Sequence, residues 1–255
     1  MTQTTPGAAT AQRVAALGPF FAVETHGSTE PVDPWRPLAE LRDDPAVLRE
    51  RIAGVRGYLA ATGRQAPEAV EERVAASVTH LGLVARLISP AFGVAVLDGA
   101  LFRYGLGDSR WQPALGGLFP LSLPDREPEP VADPAELADR LAVELLGGLV
   151  GELSEAVAEF DVSPHILRGN TASAVNGAAA AVARSVPELG GRAHELAARL
   201  LDHSPLRGAG TMAADGTGFR RRSCCLVYRA APGRAGGLCG DCVLASPPTA
   251  RPARR

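Results

Sequence analysis

The sequence predicts a mainly α fold (α+β), in which a helical domain carries a central β-hairpin and a small irregular or β segment at the C-terminus. Helix-start signals recur along the chain, apolar residues repeat at helical spacing after them, and strand patterns are confined to two short stretches. The 255 residues are 46% hydrophobic and 21% charged, so the chain can bury a core without a disulfide framework.

Each predicted helix start combines an N-cap residue with a proline at the first helical position, as in Asp44-Pro45, Asp133-Pro134 and Ser163-Pro164. Apolar repeats after these signals and after Pro67 predict two antiparallel helices, a second pair, and a shorter helix over residues 187–201. The repeating positions are Leu48, Ile52, Val55 and Leu59; Val70, Val74, Val78, Leu81 and Val84; Leu137, Leu141, Leu145 and Leu149; and Ile166, Ala172, Val175, Ala179 and Val182.

Strand character is limited to two stretches. Residues 101–104 and the segment from Trp111 onward flank a Gly-Leu-Gly-Asp-Ser turn, which predicts a hairpin near residues 101–115. Residues 219–228 form the second extended stretch.

The domain organisation follows from composition. Residues 1–12 and 246–255 are small, polar and Pro-containing, which predicts disordered ends. Between them we expect a helical domain over residues 13–218 and a C-terminal segment over residues 219–245. Three prolines and four acidic residues in the stretch 123–133 predict either an internal boundary or a long loop.

Charge and hydropathy exclude several function classes. The 26 basic residues, all arginine, stand against 28 acidic ones, so no nucleic-acid partner is expected, and lysine chemistry is excluded. Asp98, Glu144, Glu152 and many glycines and arginines interrupt the apolar runs, which predicts no membrane span. The first twenty residues lack a basic segment ahead of an apolar one, and we expect a cytoplasmic protein.

The cysteines carry the strongest chemical signal. Cys224 and Cys225 are adjacent, and thirteen residues separate Cys225 from Cys239. Cys239 and Cys242 form a C-x-x-C motif. In a reducing compartment, this grouping favours a metal site over disulfides. Four thiolates can close a zinc site or hold a two-iron cluster. An adjacent pair differs from the usual zinc spacing, so the pattern favours [2Fe–2S] over zinc, with paired or free thiols as a third possibility.

The residues around the cysteines are small or basic. Gly236, Gly237 and Gly240 permit close backbone approach and are expected to direct N–H groups at sulfur. The arginines at 220–222 and 229 would ease the addition of an electron to an anionic cluster, or they form only the solvated face of a strand.

The stretch FRRRSCCLVYRAAPGRAGGLCGDCVL, residues 219–244, resembles the C-terminal signature of the FhuF-like ferric-siderophore reductases. Upstream, SPHILRGNTASAVNGAAAAV is similar to that family's small-residue helix with an asparagine near its start, here Asn170. Two features differ: the thirteen-residue spacer is longer than the family's usual one, and Arg168 stands in place of an aromatic residue.

The resemblance implies that Cys224, Cys225, Cys239 and Cys242 ligate a [2Fe–2S] cluster. It implies a cytoplasmic oxidoreductase that reduces siderophore-bound iron(III) to iron(II) by one-electron transfer and so releases the iron. No Rossmann glycine motif follows a predicted strand, so a separate electron donor protein or reductant is expected. The alternative is a non-enzymatic helical binding or scaffold protein with a structural four-cysteine site for zinc or iron–sulfur.

No catalytic or substrate-binding residue is assigned beyond the cysteines. Asn170 and Asn176 are expected to be structural, and Trp35, Tyr104 and Trp111 are expected to pack in the core or the hairpin.

Overall fold

A computed structural model describes residues 5–27, 31–212 and 218–245 of the chain. It places 56% of the chain in helices and 9% in strands, so the mainly α (α+β) class is confirmed. The helices are α1 (Pro6–Ala15), α2 (Glu40–Asp43), α3 (Pro45–Thr62), α4 (Glu72–Asp98), α5 (Pro134–Leu141), α6 (Val150–Ala158), α7 (Pro164–Ser185) and α8 (Gly190–Asp202). Short 3₁₀ turns cover Pro67–Ala69, Pro187–Leu189, Val227–Ala230 and Pro232–Arg234.

The three predicted N-caps form. The side chains of Asp44, Asp133 and Ser163 each accept a hydrogen bond from a backbone N–H of the following turn, at 2.9, 2.9 and 3.4 Å. Each satisfies a donor that the helix itself leaves unpaired. The single helix expected to follow Asp133 is interrupted, since Ala142–Leu149 forms wider π-type turns and Gly148 has a ψ of −106°.

The predicted disordered N-terminus is wrong from Thr5 onward. Thr5 caps α1, which begins at Pro6, and the side chain of Ala11 within this stretch is buried, as are those of Val14 and Leu17 just after it. Burial of these apolar side chains against the rest of the fold offsets the entropy of ordering a short helix. Residues 1–4 and the tail at 246–255 lie outside the described residues.

The strands are short: β1 (Glu24–His26), β2 (Arg36–Pro37), β3 (Ala100–Leu101), β4 (Arg110–Trp111), β5 (Leu121–Pro124), β6 (Glu129–Pro130), β7 (Gly210–Met212) and β8 (Phe219–Arg221). One sheet has the order β1-β5-β4-β2, with β1 and β5 parallel and the other neighbours antiparallel. Two antiparallel ribbons, β3 with β6 and β7 with β8, complete the set.

The predicted hairpin near residues 101–115 has the wrong partners. β3 pairs with β6, whereas β4 pairs with β5 and sets Trp111 opposite Leu121. The intervening turn closes on itself, because Gly105 N donates to Asp108 Oδ1 at 2.7 Å and Ser109 Oγ donates to the Gly105 carbonyl at 2.7 Å. The second extended stretch is also shorter than predicted, since only β8 is a strand.

Of the two alternatives for residues 123–133, an internal boundary or a long loop, the packing favours a connection within one domain. Leu123 and Val131 are buried in the same apolar cluster as side chains of α3, α4 and α7. The prolines of this stretch lie in or beside β5 and β6, so the segment belongs to the helical domain.

Helix α4 lies at the centre of the fold and packs against α7 and α3. It is the one helix among the described residues that is long and apolar enough, by length and composition, to cross a membrane. In the fold, 78% of its most apolar window is buried. The guanidinium of Arg86 on this helix donates hydrogen bonds to the carbonyls of Phe20 at 2.8 Å and Phe119 at 3.3 Å. A buried charged side chain of a core helix is satisfied in this way. The expectation of no membrane span stays a prediction.

Candidate metal centre

Backbone contacts bring the two cysteine pairs together. The N–H of Arg221, three residues before Cys224, donates to the carbonyl of Asp241 at 3.1 Å. The guanidinium of Arg220 donates to the carbonyl of Val243 at 2.8 Å. These bonds hold the C-x-x-C segment against β8, so residues far apart in sequence share one C-terminal region.

The four predicted ligands differ in burial and acidity. Cys225 and Cys242 are buried, whereas Cys224 and Cys239 are half-buried. The interaction between the Cys225 and Cys239 thiols lowers the pKa of Cys225 and raises the pKa of Cys239. Burial raises the pKa of Cys224. A thiol of the adjacent pair is thus coupled to a thiol of the C-x-x-C motif.

Backbone N–H groups reach two of the sulfurs, although not from the glycines that the sequence suggested. Leu226 N donates to Cys224 Sγ and Leu244 N donates to Cys242 Sγ, both at 3.3 Å. Leu226 has a φ of +68°, a strained conformation for a branched side chain. Gly236 instead donates to the Tyr228 carbonyl at 3.0 Å, where a Cβ would lie 2.6 Å from that oxygen.

Arg221 is the arginine of the run that is turned inward. Its side chain is 1% exposed, whereas Arg222 is exposed. Arg221 Nη2 donates to Asn170 Oδ1 at 2.7 Å, while its Nε and Nη1 have no hydrogen-bond partner among the described residues. Its positive charge acts to lower the pKa of Cys225 and Cys239. A buried guanidinium with two unpartnered donor nitrogens therefore lies near enough to the thiols for its charge to act on them.

A chain of hydrogen-bonded polar side chains connects Arg221, through Asn170, to helix α4. Asn170 Nδ2 donates to the Ser77 carbonyl at 3.0 Å and lies 3.4 Å from His80 Nδ1. His80 Nε2 is 2.9 Å from Ser154 Oγ, which itself donates to the Val150 carbonyl at 2.6 Å. Because that hydroxyl proton is already used, His80 carries its proton on Nε2 and accepts at Nδ1.

His80 is held neutral in this chain. Burial, and next the charge of Arg221, lower the pKa of His80 to about 3. Ser77 links the chain to the cysteines directly, since its hydroxyl donates to the Cys225 carbonyl at 2.9 Å. Asn170 is fully buried, and its side-chain amide bonds only to groups within the protein. His80 was not singled out by the sequence, because its partners come from α6 and α7.

The thirteen-residue spacer is anchored on α3 and α4. Ala230 packs in a small apolar cluster with Ala60, Val70 and Val74. Gln65 Nε2 donates to the Ala230 carbonyl at 2.5 Å. The neighbouring Arg229 forms an ion pair with Glu71. Arg234 forms a second ion pair with the same carboxylate, at 3.4 Å. The extra length of the spacer is therefore folded onto the helical domain.

The arrangement fits an anionic metal group in its donor set and charge. The thiols supply soft sulfur ligands, and two donor nitrogens of Arg221 are free to bond an anion in addition to the charge interaction with Asp241. In the part of the chain that the structure describes, no three Cys, His, Asp or Glu side chains are grouped closely enough to hold a metal ion as they stand. Ligation would therefore require the sulfurs to move closer together.

The aromatic and asparagine side chains that the sequence analysis named outside this region differ in burial. Tyr104 and Trp111 are buried in the core, and Trp35 is half-buried. Trp111 Nε1 donates to Glu40 Oε1 at 2.7 Å. Asn176 is buried within α7.

No protein-family model matches the chain, and no curated protein is significantly similar to it. The fold and the site define the molecule as a mainly α protein that carries a four-cysteine C-terminal segment beside a buried arginine.

Proposed function

We propose that the protein is a ferric-siderophore reductase that carries a [2Fe–2S] cluster. The observation that carries this proposal is the buried guanidinium of Arg221, which has two unpartnered N–H donors beside four cysteines. Two donor nitrogens of this buried cation have no hydrogen-bond partner among the described residues, and the Asp241 carboxylate interacts with it by charge alone, so an anion bound there would be stabilised. Two ferric irons, two sulfides and four thiolates together carry net negative charge.

The proposed ligands are Cys224, Cys225, Cys239 and Cys242. When bound, the cluster supplies one electron at a time. Siderophore oxygens are hard ligands that hold iron(III) far more tightly than iron(II), so a single electron suffices to release the metal from an intact chelator. A separate one-electron reductant, as expected from the sequence, would restore the cluster.

The chain's own residues would prepare the site for this charge change. Arg221 offsets the added negative charge at short range and in a low dielectric. The N–H groups of Leu226 and Leu244 donate to sulfur, which raises the potential of iron–sulfur centres in general. Asn170 holds the guanidinium in place, so little reorganisation accompanies the gain of an electron.

A structural four-cysteine site in a non-enzymatic scaffold is the second candidate, on two observations. A zinc ion held by four thiolates also carries net negative charge, so the positive charge of Arg221 would stabilise that site as well. The cysteine segment also joins α3, α4 and α7 through Gln65, Ser77 and Asn170, and a metal closing that segment would stabilise the helical domain.

Anaerobic purification with iron, sulfide and zinc analysis separates the two candidates. We expect iron and acid-labile sulfide in equal amounts, about two of each per chain, and an EPR signal only after reduction with dithionite. The reduced protein should then convert an iron(III) siderophore to iron(II) in the presence of an iron(II) trap. A colourless protein with one zinc per chain, or a cluster that does not react with any iron(III) siderophore, would overturn the reductase proposal.

A further inference from the structure

A groove opens between α3, α4 and the loop of residues 112–120. It has a volume of about 330 Å³ and is lined mainly by apolar and aromatic side chains. Of the eight exposed large hydrophobic side chains in the described part of the chain, four line this groove: Phe20, Tyr58, Leu115 and Leu118. Exposed apolar side chains concentrated in one concave surface are typical of a ligand site.

Two unpartnered polar groups lie in the same groove. Thr79 is 4% exposed, and its Oγ has no hydrogen-bond partner among the described residues. The Nε of Arg51 is likewise buried without a partner, while the guanidinium stacks on the rings of Trp111 at 5.6 Å and Phe119 at 5.8 Å. Both groups can donate, so the groove offers two hydrogen bonds to oxygen acceptors.

The groove and the cysteine segment share the same helix pair. On α4, Val78 lines the groove, and the preceding Ser77 donates to the carbonyl of Cys225. On α3, Tyr58 lines the groove, and a Cβ added at Gly63, just after the helix, would lie 3.3 Å from Pro232 Cδ of the spacer. Helix α4 therefore forms the wall between the groove and the cysteines, about 10 Å across.

We propose that this groove binds the iron(III) chelate, an inference that rests on the proposed reductase function. The apolar arms of the chelator pack against Tyr58 and Leu118, and its oxygen acceptors receive hydrogen bonds from Thr79 Oγ and Arg51 Nε. The lining holds one guanidinium among apolar side chains, which suits a ligand that is largely apolar and carries oxygen acceptors. A trihydroxamate chelate, which is neutral with iron(III), fits this description best, and an anionic tricatecholate chelate would depend more on the charge of Arg51.

Gly82 allows a direct test of the groove. It lies on α4 in the groove lining, is exposed, and has no atom within 4 Å of the position that a Cβ would take. Gly82→Leu therefore fills the groove without a clash and with a gain in helix propensity. Gly177→Leu on α7 is the matched control, since Gly177 is equally exposed and open but lies outside the groove.

The probes are gallium(III) trihydroxamate and gallium(III) tricatecholate complexes, measured by calorimetry with the protein as purified. Gallium(III) takes the same oxygen ligands as iron(III) but is not reduced, so binding is separated from electron transfer. We expect at least one complex to bind and Gly82→Leu to weaken it by about tenfold or more, with Gly177→Leu unchanged. Thr79→Val, which keeps the side-chain shape, should weaken it by roughly threefold to tenfold.

The result separates this site from the reductase proposal. Binding that Gly82→Leu blocks, in a protein without a redox cluster, supports the site and overturns the reductase function. If the Gly82→Leu and Thr79→Val variants both reduce the iron(III) complex at the native rate, the proposed binding site is overturned and the reductase function is not. Failure of both gallium complexes to bind the native protein also overturns the site.

Discussion

Arg221 Nη2 lies 2.7 Å from Asn170 Oδ1 inside the protein, beside the four cysteines. The asparagine is in turn bonded to α4 through Ser77 and His80. One charge-assisted hydrogen bond thus joins the cysteine segment, α7 and α4. The network holds the guanidinium in place, while its Nε and Nη1 have no hydrogen-bond partner among the described residues and the Asp241 carboxylate interacts with it by charge.

Arg221→Gln should lower the reduction potential of the cluster by on the order of 100 mV, because it removes a buried positive charge close to the added electron. Arg222→Gln is the control, since that side chain is exposed and its charge is screened by solvent. A potentiometric titration followed by EPR measures both. Equal shifts in the two variants would contradict the role assigned to Arg221.

Cys239→Ala should raise the pKa of Cys225 in the metal-free protein, because it removes the thiol whose interaction lowers that pKa. At neutral pH, Cys225 would then hold less thiolate and react more slowly with iodoacetamide. Site-resolved mass spectrometry of the alkylation rate measures this. Cys242→Ala, which leaves the Cys239 thiol in place, should have a smaller effect on Cys225. An unchanged rate in Cys239→Ala would exclude the coupling between the two thiols.

The free energy of unfolding should fall as the pH drops from about 6.5 toward 3, with His80 contributing up to about 1.4 kcal/mol per pH unit. The pKa of His80 is about 3 in the fold and higher in the unfolded chain, so the unfolded state binds the extra proton across this window. Stability from this residue is therefore present above the unfolded pKa and lost in acid.

His80→Gln should reduce that acid slope, at some cost in stability at neutral pH. Urea denaturation between pH 4 and pH 7, roughly the window between the two pKa values, measures it. His194→Gln, at a half-buried histidine of α8, provides the comparison. A His80→Gln protein with the native pH slope would rule out a buried neutral histidine.

Glu71→Gln should loosen the spacer, because Arg229 and Arg234 both pair with that carboxylate. We expect faster loss of metal to a chelator and a drop in stability of about 1 kcal/mol, since the Arg229 side chain is largely buried. Glu68→Gln, on the neighbouring 3₁₀ turn, is the control because its side chain is exposed. Equal metal-loss rates for the two variants would show that the anchor does not constrain the cysteines.

Part of the candidate site could be predicted from the sequence. The crowding of Cys224, Cys225, Cys239 and Cys242 marks a ligand set from spacing alone, because thiol chemistry depends on residue type. Which arginine of the run is buried beside the cysteines could not be predicted. Arg221 and Arg222 are neighbours with identical side chains, and only the pairing of β8 with β7 turns one inward and the other to solvent.

The helix starts at Asp44, Asp133 and Ser163 and the mainly α class could be predicted from local patterns, because capping and helical periodicity involve contacts within a few residues. The strand partners, the order at the N-terminus and the surroundings of His80 could not be predicted in this way. Those depend on groups far apart in the chain, such as Asn170 and Arg221, 51 positions apart, whose contact exists only once the helices have packed.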